Sequence, residues 1–187
     1  MQTKKTRDVE AKSHSGLSPR RGPLEGIKIL DVSRLYPGPL ATMLMGDMGA
    51  DVIKLESLHA LDYMRSYPPF IGDQSAAYLA VNRSKRSIVC DLKKEEGRNI
   101  FFKLVHKCDV VIEQFRPGVM EQMGLGYATA YSFNPAIIYV SITGYGQSGP
   151  YAHEPGHDLN YIGYAGILGI TSDQKKQGNP IIPGVQV

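Results

Sequence analysis

Residues 27–56 read IKILDVSRLYPGPLATMLMGDMGADVIKLE. The first six, 27–32, form a short apolar run of strand type, and the last six, 51–56, form another. Between them Leu40, Met43, Leu44 and Met48 recur at helical spacing. Ser33 to Pro39 reads as a loop, with Pro39 placed to open the helix and Gly49 to end it. Two strands joined through a helix form a parallel crossover unit.

The alternation continues downstream. Further strands are expected at 87–92, 108–113 and 137–142, with helices over 95–107, 119–123 and 127–133. Ile100, Phe101, Leu104 and Val105 mark the inner side of the first of these helices. Residues 57–75, with Pro68, Pro69 and Gly72, read as a long surface excursion. The pattern predicts an α/β fold with a Rossmann-like, doubly wound parallel sheet. Upstream, residues 1–22 are rich in Lys, Arg and Ser and lack an apolar period, as in a disordered basic tail. Asp8 and Glu10 count against a mitochondrial presequence, and there is no hydrophobic core of a secretory signal. The chain divides into this tail and a folded part, 23–187.

A length of 187 residues, 42% apolar and 21% charged, suits one soluble domain. The net charge of +3 comes without a basic stripe interleaved with aromatics, so nucleic acid is not an expected partner. No apolar run approaches the roughly 18 residues of a membrane span. Cys90 and Cys108 lie in apolar runs and read as reduced core residues of a cytoplasmic protein.

The first crossover invites a dinucleotide reading, which its loop rejects. In place of G-x-G-x-x-G it offers Pro37-Gly38-Pro39, and the acid ending the second strand, Glu56, is weak evidence alone. Asn82 to Arg86 is basic, either a solvated turn or a phosphate contact. Residues 141–161, SITGYGQSGPYAHEPGHDLNY, run from a strand end through a glycine-rich loop to His157-Asp158 at a helix start. Glycines let a backbone approach a ligand, and open α/β folds place chemistry at such strand ends. By residue type alone His157 is a loop or cap residue and Asp158 an N-cap. His153 and His157 are spaced i,i+4, but Pro155 and Gly156 between them exclude a regular helix, so no metal site is expected.

Five segments carry a family resemblance: PLEGIKILDVSRLYPGPLATMLMGDMGADVIKLE, NRSKRSIVCDLKKEEG, DVVIEQFRPGVMEQMGLGY, NPAIIYVSITGYGQSGP and GHDLNY. Together they resemble the family III CoA-transferases, the superfamily that includes the formyl-CoA and carnitine-type enzymes and the α-methylacyl-CoA racemases. The resemblance implies coenzyme A and acyl-CoA thioesters as substrates, a carboxylic acid as acceptor, no metal, and an interlocked homodimer. It places Arg34, Leu35, Tyr36 and Pro37 along the adenine and pantetheine, with Gln114 and Phe115 as a contact turn. Ser57 and Gln122 stand where some members carry a basic residue, and Lys85, Arg86 or Arg34 are the candidates to replace it.

For chemistry the resemblance implies an Asp carboxylate that attacks the thioester. That Asp follows a segment like 181–187 and is expected just past Val187. In the racemase branch His157 would be one of two bases exchanging the α-proton. A third reading is a truncated, non-catalytic CoA-binding fragment. The implied subunit is about twice this length, so the chain is expected to be an N-terminal half and inactive alone.

Overall fold

The computed structural model describes residues 22–173 and 178–183. The basic tail expected over 1–22 lies outside the described residues except for Gly22, as do residues 184–187 of the segment 181–187.

Strands β1 (Lys28–Asp31), β2 (Asp51–Ser57), β3 (Arg86–Cys90), β4 (Val110–Glu113) and β5 (Ile138–Ser141) form one parallel sheet in the order β3-β2-β1-β4-β5. Each falls on an expected run. In register, Ile29 of β1 lies opposite Val52 on one side and Val110 on the other. Ile29, Leu30, Val52, Leu55, Val111 and Ile112 are buried, because strands covered on both faces must be apolar nearly throughout. Leu30, Leu55 and Val111 pack with Phe101 and Val105, while Ile29, Val52 and Ile112 pack with Ala50 on the other face.

Helix α1 spans Pro37–Asp47, α2 Ala76–Asn82, α3 Glu95–Val105, α4 Val119–Gln122, α5 Tyr127–Phe133, α6 Asp158–Tyr164 and α7 Ile167–Ile170. Three details differ from expectation. Helix α1 begins at Pro37, not Pro39; proline's fixed φ suits the first turn, where its missing N–H costs nothing. Its buried residues are Gly38, Pro39, Thr42, Met43 and Gly46, whereas Leu44 and Met48 are exposed. The small residues bring the helix close to the sheet. In α3, Phe101 and Val105 are buried but Ile100 is exposed.

The excursion 57–75 holds a 3-10 turn, Tyr63–Ser66, and a hairpin of Phe70–Ile71 with Gln74–Ser75. A second hairpin pairs Ser172–Asp173 with Asn179–Pro180. The strand order fixes where a ligand can sit. From β1 the chain moves outward to β2 and β3, then returns to place β4 on the other side of β1. The order reverses between β1 and β4, and the crevice beside their strand ends is where ligands of open α/β sheets sit.

Candidate functional site

The loop after β1 and the turn after β4 meet at this crevice. Gly38 N–H donates to Gln114 Oε1 at 3.0 Å, and the Arg34 guanidinium lies 5.3 Å from the centre of the Phe115 ring. Phe115 N–H donates to Glu113 Oε2 at 2.7 Å, which fixes the turn. Gly38 is required by the close approach: a Cβ there would stand 2.3 Å from Ser33 Cβ and 2.8 Å from Gln114 Oε1. Leu35 has φ +64, in the left-handed region that side chains with a Cβ avoid. The structure thus brings the two CoA-binding segments expected from the sequence, 34–37 and 114–115, to one place.

Beneath the loop lies a buried polar network that the sequence reading missed. Asp31 accepts from Ser33 Oγ, from Ser33 N–H at 3.0 Å, from Thr42 Oγ1 at 2.6 Å and from Lys85 Nζ at 3.0 Å. Lys85 Nζ also donates to Pro39 O at 2.8 Å and Asn82 Oδ1 at 2.9 Å. Lys54 Nζ donates to Ser33 O at 2.9 Å and stands 3.4 Å from Asp62 Oδ2. The carboxylate of Asp62 accepts the N–H groups of Leu35 at 3.0 Å and Met64 at 3.1 Å, and its own N–H donates to Glu56 Oε1 at 3.0 Å. Glu56 is held by Arg65 through Nε at 3.0 Å and through a second nitrogen at 2.5 Å. Among the described residues no buried side-chain N or O lacks a partner. One signal in the sequence could have found this network. Lys54 sits inside an apolar strand, and a lysine 1% exposed must have a partner carboxylate nearby.

The charges respond to this setting. Burial pushes the Asp31 carboxyl up, but the Lys85 and Lys54 ammonium groups and the Ser33 and Thr42 hydroxyls outweigh it and hold it below its ordinary value. For Glu56 burial is likewise outweighed, chiefly by Arg65, so the acid at the end of β2 is ionised and committed to a protein cation. Burial lowers the Lys85 ammonium to about 8 against the attraction of Asp31. Burial raises Glu113 despite the hydrogen bonds from Ser141 and from Phe115 N–H.

The basic run is a turn with its charges occupied. Lys85 is buried on Asp31, Arg86 forks onto Asp51 at 3.1 and 2.6 Å, and Arg83 meets Asp47 at 2.5 Å. Lys85 and Arg86 are therefore poor replacements for the basic side chains absent at Ser57 and Gln122. Arg34 lies at the crevice itself, over the Phe115 ring.

The glycine-rich loop also differs from its sequence reading. A Cβ on Gly144 would stand 2.4 Å, and one on Gly156 2.6 Å, from the ring of Tyr161. Both glycines make room for an aromatic side chain. Tyr145 touches the rings of Tyr151, Tyr161 and Tyr164. His157, not Asp158, is the N-cap of α6; Asp158 is its first residue, where a negative charge suits the helix dipole. His157 is exposed, and its N–H donates to Asn160 Oδ1 at 3.0 Å. No hydrogen bond, ion pair or ring contact among the described residues joins it to the loops at the crevice. Cys90 and Cys108 are buried and free, and burial pushes both thiols up, Cys108 to about 11, which makes them poor nucleophiles. Among the described residues no group of three His, Cys, Asp or Glu is placed to hold a metal, and no helix is long and apolar enough to cross a membrane.

Comparison with known proteins follows the same outline. The sequence model of CoA-transferase family III matches residues 24–187. The chain is 46% identical over 164 residues to the succinyl-CoA:glutarate CoA-transferase of Homo sapiens, which covers 87% of this chain and 37% of that protein. It is 42% identical over 151 residues to the acetyl-CoA:oxalate CoA-transferase of Acetobacter aceti, covering 81% of this chain and 39% of the relative. The chain thus spans 37% and 39% of the length of these two curated relatives. Its fold superimposes on the crystal structure of a CAIB/BAIF family protein from Brucella suis with a TM-score of 0.82 at 39% identity, over 88% of this chain and 44% of that one.

Proposed function

The chain belongs to CoA-transferase family III, and on that footing we propose that it forms the CoA-binding face of an enzyme that transfers CoA between carboxylic acids. One observation carries the reading: Gly38 to Gln114 and Arg34 to Phe115 join two strand-end loops at the point where the sheet order reverses. Tyr36 and Phe115 offer aromatic faces to a base, Arg34 offers a cation to a phosphate, and Leu35 and Pro37 line the same loop. Relatives named as transferases favour transfer over racemisation, and the racemase alternative rests on His157 alone.

Transfer needs a free carboxylate as nucleophile. Asp31, Glu56, Asp62 and Glu113 are all buried and hydrogen-bonded, which supports a reading in which the attacking carboxylate comes from elsewhere. In the same reading the enzyme is a cytoplasmic homodimer. The reduced, buried cysteines suit that compartment, and exposed Leu159, Tyr164 and Ile170 suit an interface.

Calorimetric titration of CoA into the protein that carries this chain tests the site. Tyr36→Ala and Phe115→Ala should each weaken CoA by about tenfold, the scale of losing one base-stacking contact. Unchanged affinity in both would remove the site. Deuterium wash-in at the α-carbon of an acyl-CoA, without an acceptor acid, would instead support racemisation, and His157→Ala should then abolish it.

A further inference from the structure

We propose that Asp62, backed by Lys54, is the positioning residue that holds the loop 33–37 in its binding shape by fixing Leu35 in the left-handed conformation. The inference rests on the assignment of that loop to CoA.

Two independent observations point to it. Leu35 is a non-glycine residue at φ +64, a region that a side chain with a Cβ leaves unless something holds it there. Its N–H donates to Asp62 Oδ2 at 3.0 Å, a contact across 27 residues of sequence. The restraint is itself anchored on both sides. Lys54, 1% exposed, pairs with the same Asp62 oxygen at 3.4 Å and binds Ser33 O at 2.9 Å, two residues before Leu35. The other Asp62 oxygen accepts Met64 N–H at 3.1 Å, and the Asp62 N–H is tied to Glu56 at 3.0 Å. One buried carboxylate and one buried ammonium therefore grip the loop at its first and third residues from below, while Arg34 between them reaches over the Phe115 ring.

The chemistry of the anchor demands a carboxylate. Three donors converge on Asp62: the N–H groups of Leu35 and Met64, and the Lys54 ammonium. Asparagine supplies one acceptor oxygen and turns an NH2 toward donors, so it cannot satisfy all three.

Hydrogen exchange and CoA titration on the protein that carries this chain test the idea together. Asp62→Asn should speed exchange of the Leu35 amide at least tenfold and weaken CoA about tenfold. Leu35→Asn and Leu35→Val both remove the leucine packing, but asparagine tolerates the left-handed region and a β-branched residue does not. Leu35→Asn should therefore bind CoA more tightly than Leu35→Val, an order that loss of packing alone would not give. If Asp62→Asn fails to fold, this pair still decides. Equal or reversed affinities in the pair, or unchanged Leu35 exchange and CoA affinity in Asp62→Asn, would overturn the proposal. If the unaltered protein does not bind CoA, or if Tyr36→Ala and Phe115→Ala leave its affinity unchanged, the CoA assignment fails instead. The Leu35 exchange rate then still shows whether Asp62 holds the loop.

Discussion

Asp31 is the residue on which folding and the crevice both depend, since it ends β1, receives Ser33 and Thr42, and neutralises a buried lysine. Its folded-state pKa lies below the ordinary 3.8. The unfolded chain therefore binds the proton more tightly, so the contribution is fully present above about pH 4 and is lost as pH falls through the folded value. Asp31→Asn should cost about 3–5 kcal/mol at pH 7, because Lys85 would stay buried without its partner. The gap from the unaltered protein should narrow as pH falls below 4; urea unfolding at several pH values measures it. A gap that stays constant down to strong acid would show that the charge of Asp31 is not what matters. At Gly38 the argument is steric. A Cβ 2.3 Å from Ser33 leaves no room, so Gly38→Ala should destabilise by about 1–3 kcal/mol and also weaken CoA by displacing Gln114. Denaturation midpoints and CoA titration read the two effects separately.

At the scale of elements, helix α3 sets two rules against each other. Gly97 lies inside it, and alanine is the better helix former by about 1 kcal/mol. A Cβ at Gly97, however, would stand 1.9 Å from the carbonyl oxygen of Asp91, which is backbone and cannot swing away. Gly97→Ala should therefore destabilise by more than about 2 kcal/mol despite the gain in propensity; a higher thermal midpoint would contradict the close packing of α3 on the turn after β3. This conflict also shows what a sequence can reveal. The strands were legible because burial on both faces demands apolar runs such as 27–32 and 51–56, and their alternation with helices dictates a parallel sheet. The loops after β1 and β4 were singled out as candidate binding segments through family likeness alone. That they touch depends on strand order, which no local pattern states. Lys54, Asp62, Asp31 and Lys85 stayed hidden because their meaning lies in pairs 8 and 54 residues apart, derived from the numbering of the two ion pairs. The packing of Gly144 and Gly156 on Tyr161 stayed hidden because ligand approach and aromatic packing both call for the same missing Cβ.

For the whole molecule, the crevice and its chemistry separate. The described residues supply the proposed binding face, but their carboxylates near it are spoken for: Asp31 by Lys85, Asp62 by Lys54 and Glu56 by Arg65. Glu113 is buried, which raises its carboxyl, and one of its oxygens is held by Phe115 N–H, so it is not free to approach a substrate. A thioester carbonyl needs a carboxylate that is both ionised and free to approach it, and these four groups fail one condition or the other. Residues 1–187 produced alone should therefore show no CoA exchange between succinyl-CoA and a second dicarboxylic acid, followed by chromatographic separation of the thioesters. The same polypeptide should self-associate, because Leu159, Tyr164, Ile170, Ile181 and Ile182 present apolar surface to water. In sedimentation velocity the combined Leu159→Lys and Ile170→Lys change should shift the distribution toward monomer, while leaving the remote Gly38–Gln114 contact intact. Measurable exchange by residues 1–187 would mean that one of these four carboxylates can leave its partner. Repeating the assay with Asp31→Asn, Glu56→Gln, Asp62→Asn and Glu113→Gln would then identify which one.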